Sequence, residues 1–381
     1  MRILTILTFY HPHWTGLTAI AKRIAEGLAA RGHDVTVLTT QYEASLPRAE
    51  EIGGVRVVRL PTIGRLSRGM VAPAFPAAAA RLIERSDVVQ IHTPLMEGPL
   101  VAALCHWKRR PLVMTHQGDL VMPPGLANQF VEHVGTGLLV LTARLADGVT
   151  TLSGDYARHS AFLRRAAAKV TPIYPPVDIP EPDAAAAAAW RRDLGLEGKK
   201  VVGFAGRFVE EKGFDYLLRA IPWLAAGEPN VHLVYAGEHR IAYERFYDRC
   251  LSLIEAHRDR ITFVGLVRDR RRLADFYALC DVFALPSRTD SFAGVQVEAM
   301  LCGTPVVAAD IPGAREPVRE TGMGLLVAPR DPEALAAGIL EVLRDPERYT
   351  KPRRDVQAVF DPVPSIDEYE RLLASFADRR A

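Results

Sequence analysis

Residues 290–307 read DSFAGVQVEAMLCGTPVV and come shortly after the apolar segment CDVFALP, which is typical of a buried strand. The hydrophobic spacing that follows predicts a helix, and Gly303 with Pro305 is expected to end it before a second strand. Two carboxylates stand eight positions apart in this stretch. Asp290 is expected just before the helix and Glu298 about two turns further along, at roughly 1.5 Å per residue.

This stretch can form a binding site because it places two carboxylates and several backbone N–H groups near the start of one helix. The N–H groups of residues 291–294 are expected at the positive end of the helix dipole, where an anion or sugar hydroxyls can be held. A purely structural alternative is that Asp290 caps the helix and Glu298 is a solvated surface residue. Spacing alone leaves both interpretations open.

Composition sets the broad class of the protein. A chain of 381 residues suggests two domains, and a hydrophobic content of 49% excludes a disordered protein. The formal net charge of +2 argues against general nucleic-acid binding. The cysteines lack zinc-site or disulfide spacing, which favours a reducing, cytoplasmic location: Cys105, Cys250, Cys280 and Cys302.

The first half of the chain alternates strand and helix patterns, which predicts a parallel sheet covered on both faces. Strands are expected over residues 3–8, 35–39, 55–60, 88–92, 112–115 and 148–152, and helices over 19–31, 74–84, 98–107, 128–143 and 153–163. The active edge of such a sheet lies at the carboxyl ends of its strands.

A segment with five prolines, TPIYPPVDIPEP, then interrupts the pattern and predicts a stiff connector between domains. The alternation begins afresh after it, so the fold class is α/β with two doubly wound, Rossmann-like domains. We expect an N-terminal domain over residues 1–172 and a C-terminal domain over 173–362. One apolar stripe on residues 363–381 predicts a terminal helix that packs back on the N-terminal domain.

The turn GRFVEEKG places two cations between a strand and a helix. Arg207 offers a planar fork and Lys212 a point charge, a pair that fits a diphosphate. The alternative is a surface salt bridge to Glu210 or Glu211. The chain lacks the Walker pattern here, and its first strand is not followed by G-x-G-x-x-G, which weakens NTPase and dinucleotide interpretations.

Four segments together resemble the family 4 retaining glycosyltransferases of the GT-B class: GHDVTVLT, GRFVEEKG, FVGLV and DSFAGVQVEAMLCGTPVV. The last is similar to the family's signature of two acids separated by seven residues, and the likeness covers nearly the whole chain. It implies the GT-B arrangement of two Rossmann-like domains that face a central cleft, with the donor bound by the C-terminal one.

The resemblance also implies roles for residues of the donor site. Arg207 and Lys212 would bind the diphosphate of a nucleotide sugar, and Glu298 the ribose hydroxyls. Val267 would lie against the base. The donor would be a UDP- or GDP-sugar.

The sugar end of the donor would lie at the start of the signature. Asp290 would contact sugar hydroxyls, beside the backbone of Ser291, Phe292 and Ala293. The family usually carries Glu at this position. Asp shortens the reach by roughly 1.5 Å, so backbone, water or a different sugar is expected to compensate.

In the N-terminal domain the resemblance implies that Gly16 lets backbone approach the phosphates and that His116 stands near the sugar and acceptor. The alternative is that His116 only lines the site and is held there by hydrogen bonds. Asp119 nearby could orient His116 or bind the acceptor. His92 is a weaker candidate at another strand end. Two departures from the family pattern are Thr15-Gly16-Leu17 in place of a glycine pair and Gly-Glu-His-Arg at 237–240 in place of a glycine-rich turn.

The expected reaction is transfer of a hexose-type sugar to a hydroxyl of a glycan, lipid or small-molecule acceptor, with retention and without a metal or other cofactor. A nonhydrolysing sugar-nucleotide epimerase, a phosphorylase and a non-catalytic nucleotide-sugar binder are the alternatives. Nucleic acid is not an expected partner, and the oligomeric state is open. The basic and apolar segment 65–76, RLSRGMVAPAFP, could contact a lipid acceptor or the inner face of the plasma membrane; a plain loop and core helix is its alternative.

Overall fold

The computed structural model describes residues 1–66, 69–121, 125–241 and 244–378. The chain forms two compact units: unit 1 is Met1–Pro176 with Pro362–Ala381, and unit 2 is Val177–Asp361. Unit 1 is therefore built from both ends of the chain.

Unit 1 contains an eight-stranded sheet and a separate two-stranded hairpin. Its strands are β1 Arg2–Ile6, β2 Asp34–Gln41, β3 Ala49–Ile52, β4 Val55–Pro61, β5 Gly64–Leu66, β6 Gly69–Val71, β7 Val88–Thr93, β8 Leu112–His116, β9 Gly148–Thr151 and β10 Val170–Pro172. Its helices are α1 Gly16–Ala30, α2 Phe75–Arg85, α3 Gly98–Trp107, α4 Leu126–Leu145, α5 Gly154–His159, α6 Ala161–Arg165 and, at the end of the chain, α16 Pro362–Ala377.

The large sheet of unit 1 has the order β10-β9-β8-β7-β1-β2-β4-β3. All neighbours are parallel except β3 and β4, which pair antiparallel at one edge. The predicted parallel sheet is thus confirmed for its body, while β3 was missed because its sequence, AEEI, is short and carries little hydrophobic signal.

Unit 2 contains a six-stranded, fully parallel sheet with the order β13-β12-β11-β14-β15-β16. Its strands are β11 Lys200–Ala205, β12 Val231–Ala236, β13 Ile261–Gly265, β14 Val282–Leu285, β15 Val306–Ala309 and β16 Gly324–Val327. Its helices are α7 Ala184–Asp193, α8 Phe214–Gly227, α9 Phe246–Ala256, α10 Arg270–Ala278, α11 Gly294–Leu301, α12 Glu316–Thr321, α13 Pro332–Arg344, α14 Pro346–Tyr349 and α15 Arg353–Phe360. Strands buried on both faces explain the near-continuous apolar runs in the sequence.

The helix expected over residues 153–163 is two helices, because Ser160 between them has an extended backbone (φ −65°, ψ 123°). Its hydroxyl accepts the N–H of Leu163 at 3.1 Å and so begins α6. Serine tolerates this break because its side chain replaces the lost backbone partner.

The described part of segment 65–76 is divided between a hairpin and a core helix. Its first part lies in the β5–β6 hairpin, and Phe75 at the start of α2 is 4% exposed within the core of unit 1. Arg68 lies outside the described residues. The core-helix alternative is therefore the one that the structure supports for Phe75.

In the described part of the chain, no helix is both long enough and apolar enough to cross a membrane. All four cysteines are buried free thiols.

Candidate functional site

The site in unit 2 lies where the strand order of the sheet reverses. Strands β11 and β14 are neighbours. From β11 the chain continues toward one edge of the sheet, and from β14 it continues toward the other edge. The loops after these two strands therefore leave a crevice at the carboxyl edge, which is where doubly wound sheets bind ligands. The first loop carries Arg207 and Lys212, and the second carries Asp290.

Lys212 and Asp290 are 78 positions apart in sequence and in contact in the structure. Lys212 Nζ donates to Asp290 Oδ2 at 2.6 Å, and the Asp290 side chain is only 8% exposed. Arg207 Nη2 lies 3.3 Å from Glu211 Oε1, with both side chains nearly a third exposed. The contact between Arg207 and Glu211 is the surface salt bridge that the sequence analysis gave as the alternative. A pair this exposed contributes little and is easily exchanged for another anion.

Gly213 lets the turn that carries Lys212 pack closely against the loop after β14. It adopts φ +67°, and a Cβ built on it would lie 2.0 Å from the carbonyl oxygen of Pro286. Only glycine fits both requirements. This close approach brings the first loop against the backbone of the second.

Arg288 ties the two loops together and was not anticipated from sequence. Its guanidinium binds both oxygens of the Asp215 carboxylate at 2.8 Å each and donates to the carbonyl of Glu210 at 2.7 Å. Its backbone N–H donates to the carbonyl of Glu211 at 2.7 Å. Burial works against its charge, but hydrogen bonding to Asp215 and that carboxylate's charge outweigh this and raise the pKa of Arg288. The segment just before Lys212 is thereby fastened to the loop that leads to Asp290.

The loop with Asp290 does not cap α11. The helix begins only at Gly294, and the backbone of Asp290 forms a parallel bridge with Gly313. The helix-cap interpretation of Asp290 is therefore wrong. The start of the helix was placed too early because the loop residues Ser291, Phe292 and Ala293 are themselves buried, at 7%, 5% and 2% exposure, and read as part of the helical face.

Glu298 is a buried residue, not a solvated one. It lies one turn into α11 and is 9% exposed, and the hydroxyl of Tyr277 on α10 donates to its Oε2 at 3.0 Å. The solvated-surface interpretation is therefore wrong. Tyr277, itself fully buried, orients one carboxylate oxygen, and the hydrophobic pattern of α10 gave no sign of this role.

Val267 lines a different hollow, of about 260 Å³. Its lining residues are Trp190, Leu194, Val264, Leu266, Val267, Arg268, Asp269 and Arg272. Lys212 and Asp290 are not among its lining residues.

The turn at 237–240 is held closely to the loop of Arg207. Gly237 has φ +147°, and a Cβ there would lie 1.9 Å from the carbonyl oxygen of Gly206. The hydroxyl of Tyr235 donates to the same carbonyl at 2.5 Å. The one glycine that this turn retains is thus the one that its packing requires.

In unit 1, His116 ends β8 and is fully buried between hydrogen-bond partners on both ring nitrogens. Nε2 donates to Asp119 Oδ1 at 3.0 Å, and Nδ1 lies 3.2 Å from the hydroxyl of Thr93. The ring centroid is 4.6 Å from that of Phe162. His116 therefore has the contacts expected of a positioned wall residue, with Asp119 in the orienting role.

Asp119 is the centre of this network. Ser160, the residue that separates α5 from α6, donates its hydroxyl to Asp119 Oδ1 at 2.9 Å, and the backbone N–H of Asp119 donates to the hydroxyl of Tyr156 at 2.8 Å. Burial would raise the pKa of Asp119, but the hydrogen bond and charge of His116, with the hydroxyl of Ser160, outweigh it and lower the pKa. Asp119 thus stays ionised and keeps the His116 proton on Nε2.

Gly16 opens α1, the helix after β1, and a Cβ at this position would meet no atom within 4 Å. Thr15 before it forms a capping box with Thr18, at 3.2 Å and 2.9 Å. Thr15 therefore has a structural reason to replace a glycine. Gln117 donates toward the carbonyl of Leu17 at 3.4 Å, which places the end of β8 beside this first turn.

His92 is fully buried, and burial lowers its pKa to about 3. The amide nitrogen of Gln117 donates to its Nδ1 at 2.8 Å, so the proton of the neutral ring is on Nε2. That Nε2 has no hydrogen-bond partner among the described residues.

Within residues 1–66, 69–121, 125–241 and 244–378, no cluster of three or more His, Cys, Asp or Glu side chains has a geometry that could hold a metal ion.

Two family models match this chain. A "Glycosyl transferase 4-like domain" covers residues 15–176, and "Glycosyl transferases group 1" covers residues 199–345. These ranges fall within unit 1 and unit 2 respectively.

Named relatives extend the match over nearly the whole chain. An uncharacterised glycosyltransferase of Methanocaldococcus jannaschii is 30% identical over 359 residues, 91% of this chain and 90% of that protein. A 2-deoxystreptamine glucosyltransferase of Streptomyces kanamyceticus is 31% identical over 352 residues, 85% of this chain and 88% of that protein. Among solved structures, HepE of Anabaena in complex with UDP and glucose is 25% identical with a TM-score of 0.79, covering 98% of this chain and 100% of that one.

Proposed function

This chain belongs to the family 4 glycosyltransferases of the GT-B class, and we propose that it transfers a hexose from a UDP- or GDP-sugar to an acceptor hydroxyl with retention of configuration. The observation that carries the proposal is the Lys212–Asp290 contact at the strand-order reversal of unit 2. A cation and a buried carboxylate meet there at the edge where such sheets bind ligands.

Three parts of the donor, the diphosphate, the ribose and the sugar, have a matching group in unit 2. Lys212 and Arg207 supply positive charge for the diphosphate, and Arg207 can exchange its exposed partner Glu211 for a phosphate oxygen. Glu298 has one oxygen held by Tyr277, and we propose that the carboxylate accepts hydrogen bonds from ribose hydroxyls. Asp290 would face the sugar while remaining paired with Lys212.

In the proposed reaction the bond between the anomeric carbon and the leaving phosphate oxygen breaks as the acceptor oxygen bonds to that carbon. The acceptor proton passes to the departing phosphate. Lys212 and Arg207 stabilise the charge that grows on the diphosphate, a role worth on the order of a hundredfold to a thousandfold per group. No covalent enzyme intermediate and no metal is required, so we expect full activity in EDTA.

Unit 1 would supply the acceptor side. Asp119, whose side chain is 32% exposed and is held by the buried His116, would contact the acceptor hydroxyl, and Gly16 leaves open space at the start of α1. The relative from Streptomyces acts on a small-molecule acceptor, and glycan or lipid hydroxyls are chemically equivalent. Four buried free thiols favour action in the reducing cytoplasm.

The test is nucleotide release from UDP-glucose and GDP-mannose with and without an acceptor panel, using wild type, Lys212→Ala and Glu298→Ala. We expect both variants to lose at least about a hundredfold in kcat/KM while each still unfolds in a cooperative transition, which shows that the fold survives. Lys199→Ala is the matched control, because Lys199 precedes the opposite end of β11.

Other outcomes would point elsewhere. Donor conversion without any acceptor would favour an epimerase, and a strict requirement for phosphate would favour a phosphorylase. Donor binding without nucleotide release would favour a binding protein. Wild-type rates in either variant would overturn the site, and NMR of the product decides retention.

A further inference from the structure

Helix α4 of unit 1 exposes a continuous row of large apolar side chains, which we name the α4 face: Leu126, Phe130, Val134, Leu141 and Leu145. Leu126 is 87% exposed and Phe130 70%, and the other three are 43–46% exposed. Their spacing of four and seven residues places them on one side of the helix, because each residue advances about 100°. Gly137, between Val134 and Leu141, adds no side chain that would interrupt the row.

The opposite side of the same helix is buried. Leu139, Thr142 and Ala143 are 1–4% exposed and face the core of unit 1. Helix α4 is therefore apolar on both sides, whereas a surface helix normally presents a polar side to water. A patch of this kind marks a contact with another molecule or with a membrane.

The neighbouring helix α3 also carries exposed apolar side chains. Helix α3 begins against α4, because Gly98 lies where a Cβ would be 2.6 Å from the Thr142 hydroxyl. Met96 and Leu100 on either side of Gly98 are 49% and 38% exposed. At the far end of α3, Trp107 is exposed and the ammonium of Lys108 lies 4.7 Å from the centre of its ring.

Unit 1, which carries the α4 face, is positively charged as a whole. Unit 1 carries 22 basic and 16 acidic residues, a formal charge of +6, whereas unit 2 carries 25 basic and 29 acidic residues, a formal charge of −4. Lys169 donates to the last carbonyls of α4, those of Arg144 and Ala146, at 2.9 and 2.7 Å. Arg144 in the last turn of α4 is exposed, so basic side chains lie at this end of the α4 face, and the exposed Arg164 and Arg165 of α6 precede Lys169 in the chain.

We propose that the α4 face rests on an anionic lipid surface, with its apolar side chains in the headgroup boundary and the neighbouring arginines on the lipid phosphates. An apolar strip with basic side chains at its end is the combination that interfacial helices use. The helix lies on the bilayer and does not cross it, since its other side is committed to the core of unit 1. This inference concerns where the protein binds, and it does not depend on the glycosyl transfer proposed above.

A second copy of the chain is the competing occupant. Pairing two α4 faces would bring two positively charged copies of unit 1 together, and charge repulsion opposes that contact. The positive border favours an anionic partner, which is why we assign the face to lipid.

The experiment is co-sedimentation of the full chain with phosphatidylcholine vesicles that contain or lack phosphatidylglycerol. Wild type is expected to bind the anionic vesicles. Phe130→Glu with Leu141→Glu should weaken this binding at least about tenfold, and Arg144→Glu with Arg164→Glu and Arg165→Glu should do so for anionic vesicles only. The control is Trp223→Glu with Leu251→Glu, two similarly exposed apolar residues of unit 2, which should bind as wild type does.

Each result decides the proposal. Unchanged unfolding midpoints show that the variants fold, and nucleotide release can be assayed separately on the same samples. No vesicle binding by wild type, or equal loss in the unit 2 control, overturns the proposal. A wild-type dimer that the Phe130 and Leu141 double variant turns into a monomer, without vesicle binding, assigns the face to self-association.

Discussion

At the scale of the residue, His92 makes a testable contribution to the pH dependence of stability. Its pKa in the folded protein is about 3, against about 6.5 in an unfolded chain. Between these values the unfolded state binds a proton that the folded state does not. Folding stability therefore falls as pH drops from about 6.5 toward 3, by up to about 1.4 kcal/mol per pH unit for one group.

We predict that His92→Gln removes this part of the pH dependence, because a neutral amide has no proton to gain. Urea unfolding at pH 7, 6 and 5 measures it, as the difference in slope between variant and wild type. His106→Gln, at an exposed position on α3, should keep the wild-type slope. Parallel slopes in all three proteins would contradict the buried, neutral state of His92.

At the scale of the element, the loops after β11 and β14 act as one unit because Arg288 binds Asp215 and the carbonyl of Glu210 together. We predict that Arg288→Lys destabilises the protein by about 1–3 kcal/mol, since a lysine cannot make the bidentate contact and leaves buried acceptors unpaired. Displacement of Lys212 should lower kcat more than it changes KM. Urea unfolding and steady-state kinetics on the same variant measure the two effects.

Arg219→Lys is the matched control for this prediction. Arg219 also faces Asp215, at 3.6 Å, but its side chain is 54% exposed. We expect wild-type stability and kinetics from it. If both arginine variants behave alike, Arg288 is not the residue that fastens the two loops.

At the scale of the whole molecule, the end of the chain completes unit 1. Leu373 of α16 is fully buried, and the ring of Phe376 lies where a Cβ on Gly148 would be 2.7 Å away. We predict that Leu373→Ala costs about 2–5 kcal/mol, the usual range for a cavity of this size. The loss should fall on the unfolding of unit 1.

Calorimetry with and without UDP can assign the loss, because a nucleotide held by unit 2 raises only the transition of that unit. Leu372→Ala, at a half-buried neighbouring position, should cost clearly less. A shift confined to the nucleotide-sensitive transition would show that α16 does not stabilise unit 1.

The sequence by itself determined the fold class, because apolar runs of strand length alternating with helical spacing allow little other than parallel α/β layers. Most helix and strand positions in the first half of the chain were predicted within a few residues. The short strand β3 and the break at Ser160 were not predicted, because neither produces a periodic pattern of hydrophobic residues in the sequence. The sequence also selected Arg207, Lys212, Asp290 and Glu298 as one group, through the signature and the turn GRFVEEKG.

Only the tertiary structure decided what these residues touch. The Lys212–Asp290 contact, the Tyr277 hydroxyl on Glu298 and the Arg288 fork all join positions at least 21 apart in the chain. The adjacency of β11 and β14 brings two of these pairs together, and no local pattern encodes it. The exposed α4 face was hidden for the same reason: apolar residues lie on two opposite sides of the helix, and only packing decides which side meets the core and which meets the surroundings.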